Sequence, residues 1–344
     1  MASHAPTPRP AAPGWLVWAA LLVIYVVWGS TYLAIRVVVD TMPPLLAAGG
    51  RFATAGAIMA LPLILRGPRR MRVTRAELAG SAFVAAMLLL FGNGLVSLGE
   101  RDVPSGLAAL IIGIVPLIVL IMRGVGGERI TRVGLVGVAL GFAGLAVLVV
   151  PRGVDGTVAV GGIVMLIVAS FTWALGSFYS RRLRLPRDPL VSTALQLVLG
   201  GVFLLAAGLL LGEAGQLRVE EFSTASVLAF VYLVTFGSII AYTAYTWLLQ
   251  NAPISRIATY AYVNPVVAVV LGWLILQEEI GASMLVGAAM IVASVAFIVW
   301  TESQPSAELP DERDMVPRPS ARHGASPLAG TGGPTGVQGR GRPR

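Results

Sequence analysis

The sequence predicts an all-α membrane protein whose ten transmembrane helices form two inverted five-helix repeats. Three observations predict it. Hydrophobic residues make up 56% of the chain and charged residues only 12%, against roughly 25% charged in soluble domains. Apolar runs approach, again and again, the about 20 residues a helix needs to cross a bilayer. The chain also repeats itself about 147 residues apart. Trp28 precedes Arg36 as Trp173 precedes Arg181, and Pro104 and Pro116 are spaced like Pro253 and Pro265. Glu128 closes one run as Glu278 and Glu279 close its counterpart. A repeat with an odd number of spans enters the membrane upside down the second time. Inverted repeats around a midplane site are the architecture of secondary transporters.

The elements follow in order. Residues 1–14 are a Pro/Ala-rich tail. The span at 15–39 is too long for a signal peptide and lacks a small-residue cleavage site. It carries Trp28, Tyr32 and Arg36 four apart, on one face. The span at 44–65 holds Arg51, and the one at 76–98 carries Asn93 and Ser97 on a stripe that continues to Glu100. Pro116 sits mid-span in 103–124. The span at 131–150 aligns Gly134, Gly137, Gly141 and Gly144 for close packing, within the fold or between protomers. Residues 15–150 thus form the first repeat and 159–300 the second. There, 159–182 carries Ser170, Trp173 and Ser177, and 190–212 carries Gln196, the position of Arg51 when the two Trp residues are aligned. The span at 224–249 aligns Thr235, Ser238, Tyr242 and Tyr245. In 254–276, Tyr260 and Asn264 are four apart, with Tyr262 on a neighbouring face and Pro265 next. The span at 281–300 closes the repeat. Residues 301–344, rich in Pro and Gly with mixed charge, are predicted to be disordered.

Arginine placement gives the orientation. Arg66, Arg69, Arg70, Arg72, Arg75, Arg123, Arg129, Arg132, Arg181, Arg182, Arg184, Arg187 and Arg256 fall in loops on one side. The opposite loops hold Arg101, Arg152 and Arg218 beside several carboxylates. The Arg-rich side is predicted to be cytoplasmic, with both termini there, in a bacterial inner membrane. Trp15, Trp247 and Trp300 then fall at the cytoplasmic interface, as an aromatic belt requires. All 25 basic residues are Arg, and the net charge of +8 resides in loops and tails. No nucleic-acid partner is expected. There is no Cys, and the histidines, His4 and His323, lie in the tails. Neither a metal site nor another cofactor is expected.

Polar residues inside spans are costly and often functional. Ser, Thr, Asn and Gln also serve as interhelical glue worth roughly 0.6 kcal/mol each, and that reading stands beside the functional one for each of them. Trp28 and Trp173 sit mid-span, away from the interfaces Trp prefers, which points to an aromatic cavity. Arg36 can pair with Asp40 four residues on, or attract a substrate carboxylate. Arg51 is deeper and better placed for that role, unless Glu100 or Asp102 pairs with it. The candidate substrate-binding set is therefore Trp28, Tyr32, Arg36, Arg51, Asn93, Ser97, Trp173, Ser177, Gln196, Tyr242, Tyr245, Tyr260 and Asn264. Pro116 and Pro265 are candidate hinges, since interrupted helices at matching positions point to the binding site. No carboxylate lies near mid-membrane, so no proton relay is evident. A membrane-embedded transferase would need an acid, a base or a metal. Only Glu278 with Glu279, and Glu100 with Asp102, offer paired carboxylates.

The segments WGSTYLAIR, GRFATAG, GNGLVS, VPSGLAA and YAYVNPVVAVVLGWLILQEE resemble the EamA-type permeases of the drug/metabolite transporter superfamily, in particular the YedA-like branch. The resemblance covers about residues 15–300. It implies ten helices in two inverted repeats, cytoplasmic termini, and export of small amphipathic molecules such as amino acids, metabolites or drugs. It also implies a central cavity lined by spans 1, 3, 4, 6, 8 and 9. The identity of the substrate does not transfer with it. Import or exchange of a nucleotide-sugar-like or lipid-linked substrate stays open, as do coupling ion and oligomeric state.

Overall fold

The computed structural model describes residues 13–128, 130, 132–154, 159–257 and 259–302. Residues 1–12 and 303–344, with His4 and His323, lie outside the described residues, as do the side chains of Tyr262 and Trp300. Every regular element among the described residues is helical. The first half holds α1 (Gly14–Thr41), α2 (Pro44–Leu65), α3 (Arg75–Gly99), α4 (Ser105–Val125) and α5 (Arg132–Val154). The second half holds α6 (Val160–Ser180), α7 (Pro189–Leu210), α8 (Thr224–Asn251), α9 (Tyr260–Leu276, after a single turn at Ile254–Ile257) and α10 (Ala282–Glu302). α10 runs past Thr301, where the disordered tail was expected to begin.

The helix ends follow from local chemistry. The Pro43–Pro44 pair stops α1 and opens α2, because proline fits the first helical position and not an interior one. Thr74 and Glu77 form a capping box at the start of α3. Asp188 caps α7 and Ser223 caps α8. Seven helices are long and apolar enough to cross a membrane: α1, α2, α3, α4, α6, α7 and α8. Three shorter apolar stretches lie at Arg132–Leu148, Val263–Leu276 and Ala282–Ile298. Large apolar side chains face outward all around the bundle, Leu65, Val125, Leu210 and Leu228 among them, as a lipid-facing surface requires.

Two expectations about helix regularity need correction. α9 is continuous through Pro265, and the chain before it is non-helical at Thr259. α4 does break near its proline: Ser105–Ile112 ends at Gly113 and Ile114, and Val115–Val125 restarts with Pro116 in its first turn. The two features meet. A Cβ on Gly113 would lie 3.3 Å from the Ala261 carbonyl and 3.4 Å from Pro265 Cγ. Ala261 is the carbonyl that Pro265 cannot bond, and the break in α4 nests against it. A second departure is the π-helical stretch in α3, Ala86–Asn93, matched by another in α8, Leu233–Ile240. The wider turn shifts the phase of everything after it. Thr235 accordingly faces outward, not with the buried Ser238, Tyr242 and Tyr245.

Small residues set the closest contacts. α2 meets α7 backbone to backbone: a Cβ on Gly201 would come 2.4 Å from the Ala53 amide nitrogen, and one on Gly56 2.7 Å from that of Val198. The glycine face of α5 is used inside the fold. Gly137, Gly141 and Gly144 pack on Ile298, Ser294 and Met290 of α10. Gly201→Ala should therefore pry α2 from α7 and cost about 1–3 kcal/mol, read as a lowered unfolding midpoint in detergent. Gly161→Ala, where a Cβ meets nothing within 4 Å, should leave that midpoint unchanged.

Candidate functional site

A narrow cavity of about 60 Å³ lies in the middle of the bundle. Its aromatic wall is Trp28 and Tyr32 from α1, Trp173 from α6, Tyr242 from α8 and Tyr260 from α9. Ile35, Phe52, Val96, Ile112 and Ala169 supply the apolar wall, and Thr31, Arg51, Asn93 and Asn264 the polar groups. A largely apolar enclosure with a few convergent polar groups is the usual form of a small-molecule site.

The aromatic rings hold one another. The Trp28 and Trp173 centroids are 5.5 Å apart, edge to face at 86°. Tyr245 lies 4.8 Å from Trp28 and Tyr260 5.6 Å from it. Such pairs contribute about 0.5–1.5 kcal/mol each beyond area burial. The π stretches explain how the indoles are placed. Trp28 Nε1 donates to the Gly237 carbonyl at 3.3 Å, inside the π stretch of α8. Trp173 lies against Gly92 in the π stretch of α3, where a Cβ would meet its ring at 2.9 Å. Each half thus receives the other half's tryptophan. Asn93 Nδ2 donates to Leu88 O, five residues back, at 3.3 Å. The Trp173 indole N–H is buried with no hydrogen-bond partner among the described residues, close to the Tyr245 and Tyr260 side chains.

The polar groups divide between wall and scaffold. With its amide assigned in the orientation its neighbours require, Asn264 directs Nδ2 to the carbonyls of Ile24, Tyr25 and Tyr260 at 3.3, 3.1 and 3.3 Å, and ties α9 to α1. Arg51 is buried, donates from Nε to Ser238 at 2.8 Å and lies over the Phe52 ring at 4.5 Å. It forms no ion pair with Glu100 or Asp102 among the described residues.

Five of the expected residues lie outside the wall. Tyr245 is buried behind Trp28 and shares a 2.8 Å hydrogen bond with Ser177. Gln196 accepts from Tyr242 at 2.8 Å and donates to Ser192 at 3.0 Å, facing a second, wider pocket at the end of the bundle that carries Arg181 and Arg187. The Tyr242–Gln196 bond thus divides that pocket from the cavity. Ser97 is buried but does not line the cavity, because the π stretch turns the stripe away after Asn93. Arg36 faces a third pocket at the opposite end. Its expected pairing with Asp40 is not formed. Nη1 donates instead to the Glu100 and Arg101 carbonyls at 2.7 and 2.8 Å, while Asp40 is exposed. Unpaired carbonyls at a helix end outcompete an exposed, hydrated carboxylate.

The carboxylate pairs considered for catalysis do not converge. Glu278 accepts from Ser105 N, Ser105 Oγ and Gly106 N at 2.8, 2.7 and 3.0 Å, capping α4, while Glu279 is exposed. Glu100 is enclosed and Asp102 exposed. Sequence reasoning missed Gly237, because the π stretch that brings it to Trp28 leaves no pattern in the residues, and Thr31, which stands one turn from Trp28 on the regular helix α1.

A bundle of apolar helices in two halves, closed around an aromatic cavity, defines a membrane transporter. The EamA-like transporter family matches residues 14–150 and again 160–300, and the chain belongs to it. It is 38% identical over 257 residues to the uncharacterized inner membrane transporter YedA of Escherichia coli K12, covering 74% of this chain and 81% of that one. It is 28% identical over 284 residues to the uncharacterized transporter YvbV of Bacillus subtilis, covering 81% and 90%. A probable amino-acid metabolite efflux pump of Salmonella typhimurium is 27% identical over 297 residues, covering 82% and 93%. A solved crystal structure aligns with a TM-score of 0.59 at 19% identity, over 85% of this chain and 98% of its own, and shows the fold alone.

Glu278→Ala should strip three hydrogen bonds from the start of α4 and lower stability by about 1–3 kcal/mol, measured by thermal unfolding in detergent. Glu279→Ala should be neutral in the same measurement.

Proposed function

We propose that this protein is a secondary transporter of the bacterial inner membrane that exports small amphipathic organic molecules by alternating access. The central observation is the aromatic cavity, which lies between a pocket at either end of the bundle with layers of side chains in between. Tyr242 with Gln196, and Tyr245 with Ser177, form the layer toward Arg181. Arg36 on the α3 end, with Glu278 on α4, forms the opposite one. Opening one layer at a time would expose the cavity to one side at a time.

In this reading the ten helices cross the membrane as two inverted repeats. Both termini lie on the cytoplasmic side with the Arg-rich loops. Trp28, Tyr32, Trp173, Tyr242 and Tyr260 hold an apolar or aromatic body, and Asn93, Asn264 and Arg51 orient its polar end. Tyr245, Ser177 and Gln196 support that wall. The break in α4 at Pro116 and the nested Pro265 supply the place to bend. The relative named as a probable amino-acid metabolite efflux pump favours amino acids, metabolites or drugs as cargo. A nucleotide-sugar-like substrate is the second reading. Its phosphates would want several cations, and the cavity wall offers Arg51.

Metabolite release from overproducing cells, profiled by mass spectrometry, tests the assignment. Cells making the Trp28→Ala, Asn93→Ala variant at equal membrane abundance should release at least about tenfold less of the exported compound, a loss of roughly 1.4 kcal/mol in productive binding. Equal release from a folded variant would sink the reading.

A further inference from the structure

The layer between the cavity and the third pocket contains a group that the proposed transport cycle leaves unused. Glu100 follows the last turn of α3. One turn earlier Val96 lines the cavity, and the next two residues, Arg101 and Asp102, line the outer pocket. The Glu100 side chain is wholly enclosed, and neither carboxylate oxygen has a hydrogen-bond partner among the described residues. An ionised carboxylate without water or donors is costly, and a proton removes that cost.

The charged and titratable groups facing it come from three elements. α1 brings Tyr32 and Arg36, α2 brings Arg51, and the turn after α9 brings Glu278. Tyr232 of α8 stands beside Arg51. α6 meets the end of α3 through Gly162 and Leu166 against Gly99 and offers no charge there. Arg36 is engaged by two carbonyls, and Glu278 by the start of α4. Arg51 differs from both: its Nε is held by Ser238, and it also lines the cavity. One cation therefore stands between an unsatisfied carboxylate and the space where cargo would sit.

We propose that Glu100 is a proton-binding site coupled to the cargo through Arg51, an inference that rests on the cavity being the substrate site. With a proton on Glu100, Arg51 is free to hold a carboxylate of the cargo. The arrangement with Glu100 unpartnered is the protonated one; when the cargo leaves, Glu100 releases the proton and its side chain moves to pair with Arg51. One proton is taken up for each carboxylate bound and given back on its departure, so the charge of the layer is the same in both states. Cargo and proton travel in the same direction. The substrate class narrows to carboxylates with an aromatic or apolar body.

L-phenylalanine, which has both parts, is the probe, added to the purified full-length protein in detergent. The wild type should take up about one proton per L-phenylalanine bound, read with a pH indicator in weak buffer. Its affinity, read from tryptophan fluorescence, should fall with rising pH by up to roughly tenfold per pH unit. Glu100→Gln should bind without proton uptake and without pH dependence, while Glu279→Gln behaves as wild type. Binding by the wild type without proton uptake, or an unchanged pH dependence in Glu100→Gln, would overturn the coupling. Infrared difference spectra of the ligand-free protein across about pH 5 to 9, the range open to buried glutamates, test the site by itself. A protonated-carboxyl band absent from Glu100→Gln supports it, and a band unchanged in that variant overturns it. Such a band with no L-phenylalanine binding to any form would uphold the proton site and overturn the carboxylate reading of the cavity.

Discussion

A helix inside an apolar bundle must keep its backbone hydrogen bonds, because nothing around it can replace them. Here that constraint is relaxed at a few places, and the cavity is built from those places. Each π stretch meets a tryptophan from the other half of the chain: Trp28 bonds the Gly237 carbonyl, and Trp173 covers Gly92. The break at Gly113 is covered by Ala261 and Pro265. The irregular backbone and the aromatic wall are thus one arrangement. Without the wide turns the indoles would have no seat, and without the indoles the wide turns would stand open.

The same economy governs charge. Several charged groups inside the ends of the bundle are matched to helix termini and not to each other. Glu213 accepts from Leu45 and Leu46 at the start of α2. Glu278 does so at the start of α4, and Arg36 sits on the carbonyls that end α3. Each sign lies where the helix dipole favours it. Ion pairs such as Arg123–Glu128 and Arg218–Glu221 lie at the periphery, with partly exposed side chains. Against that pattern Glu100 is conspicuous as a buried carboxylate that caps nothing.

Much of this was legible in the residues. Hydropathy located the seven helices long and apolar enough to cross a membrane and the three shorter apolar stretches among the described residues, since apolar run length reports on burial in a bilayer. The four-residue spacing of Trp28 and Tyr32 placed both on the cavity, because α1 is a regular helix. The spacing failed within and after the π stretches. Ser97 turned away from the wall, and Thr235 turned outward. Arg36 was visible as a charge, but its carbonyl partners come from a helix end 64 positions away in the chain, which no local pattern encodes. The sequence placed Glu100 on a stripe. It could not say that the surrounding helices would enclose it and leave it without a donor.

α2 and α7 come from different halves, yet they touch where Gly201 admits the Ala53 backbone with no side chain between them. Two rods joined that closely share one orientation. The halves thus meet backbone to backbone along this seam, a contact that resists their swinging apart like the covers of a book. Regular winding is interrupted beside the cavity in α3, α4 and α8, so these helices bend more readily than the seam parts. In mechanical terms, the protein is a stiff spine with compliant ribs.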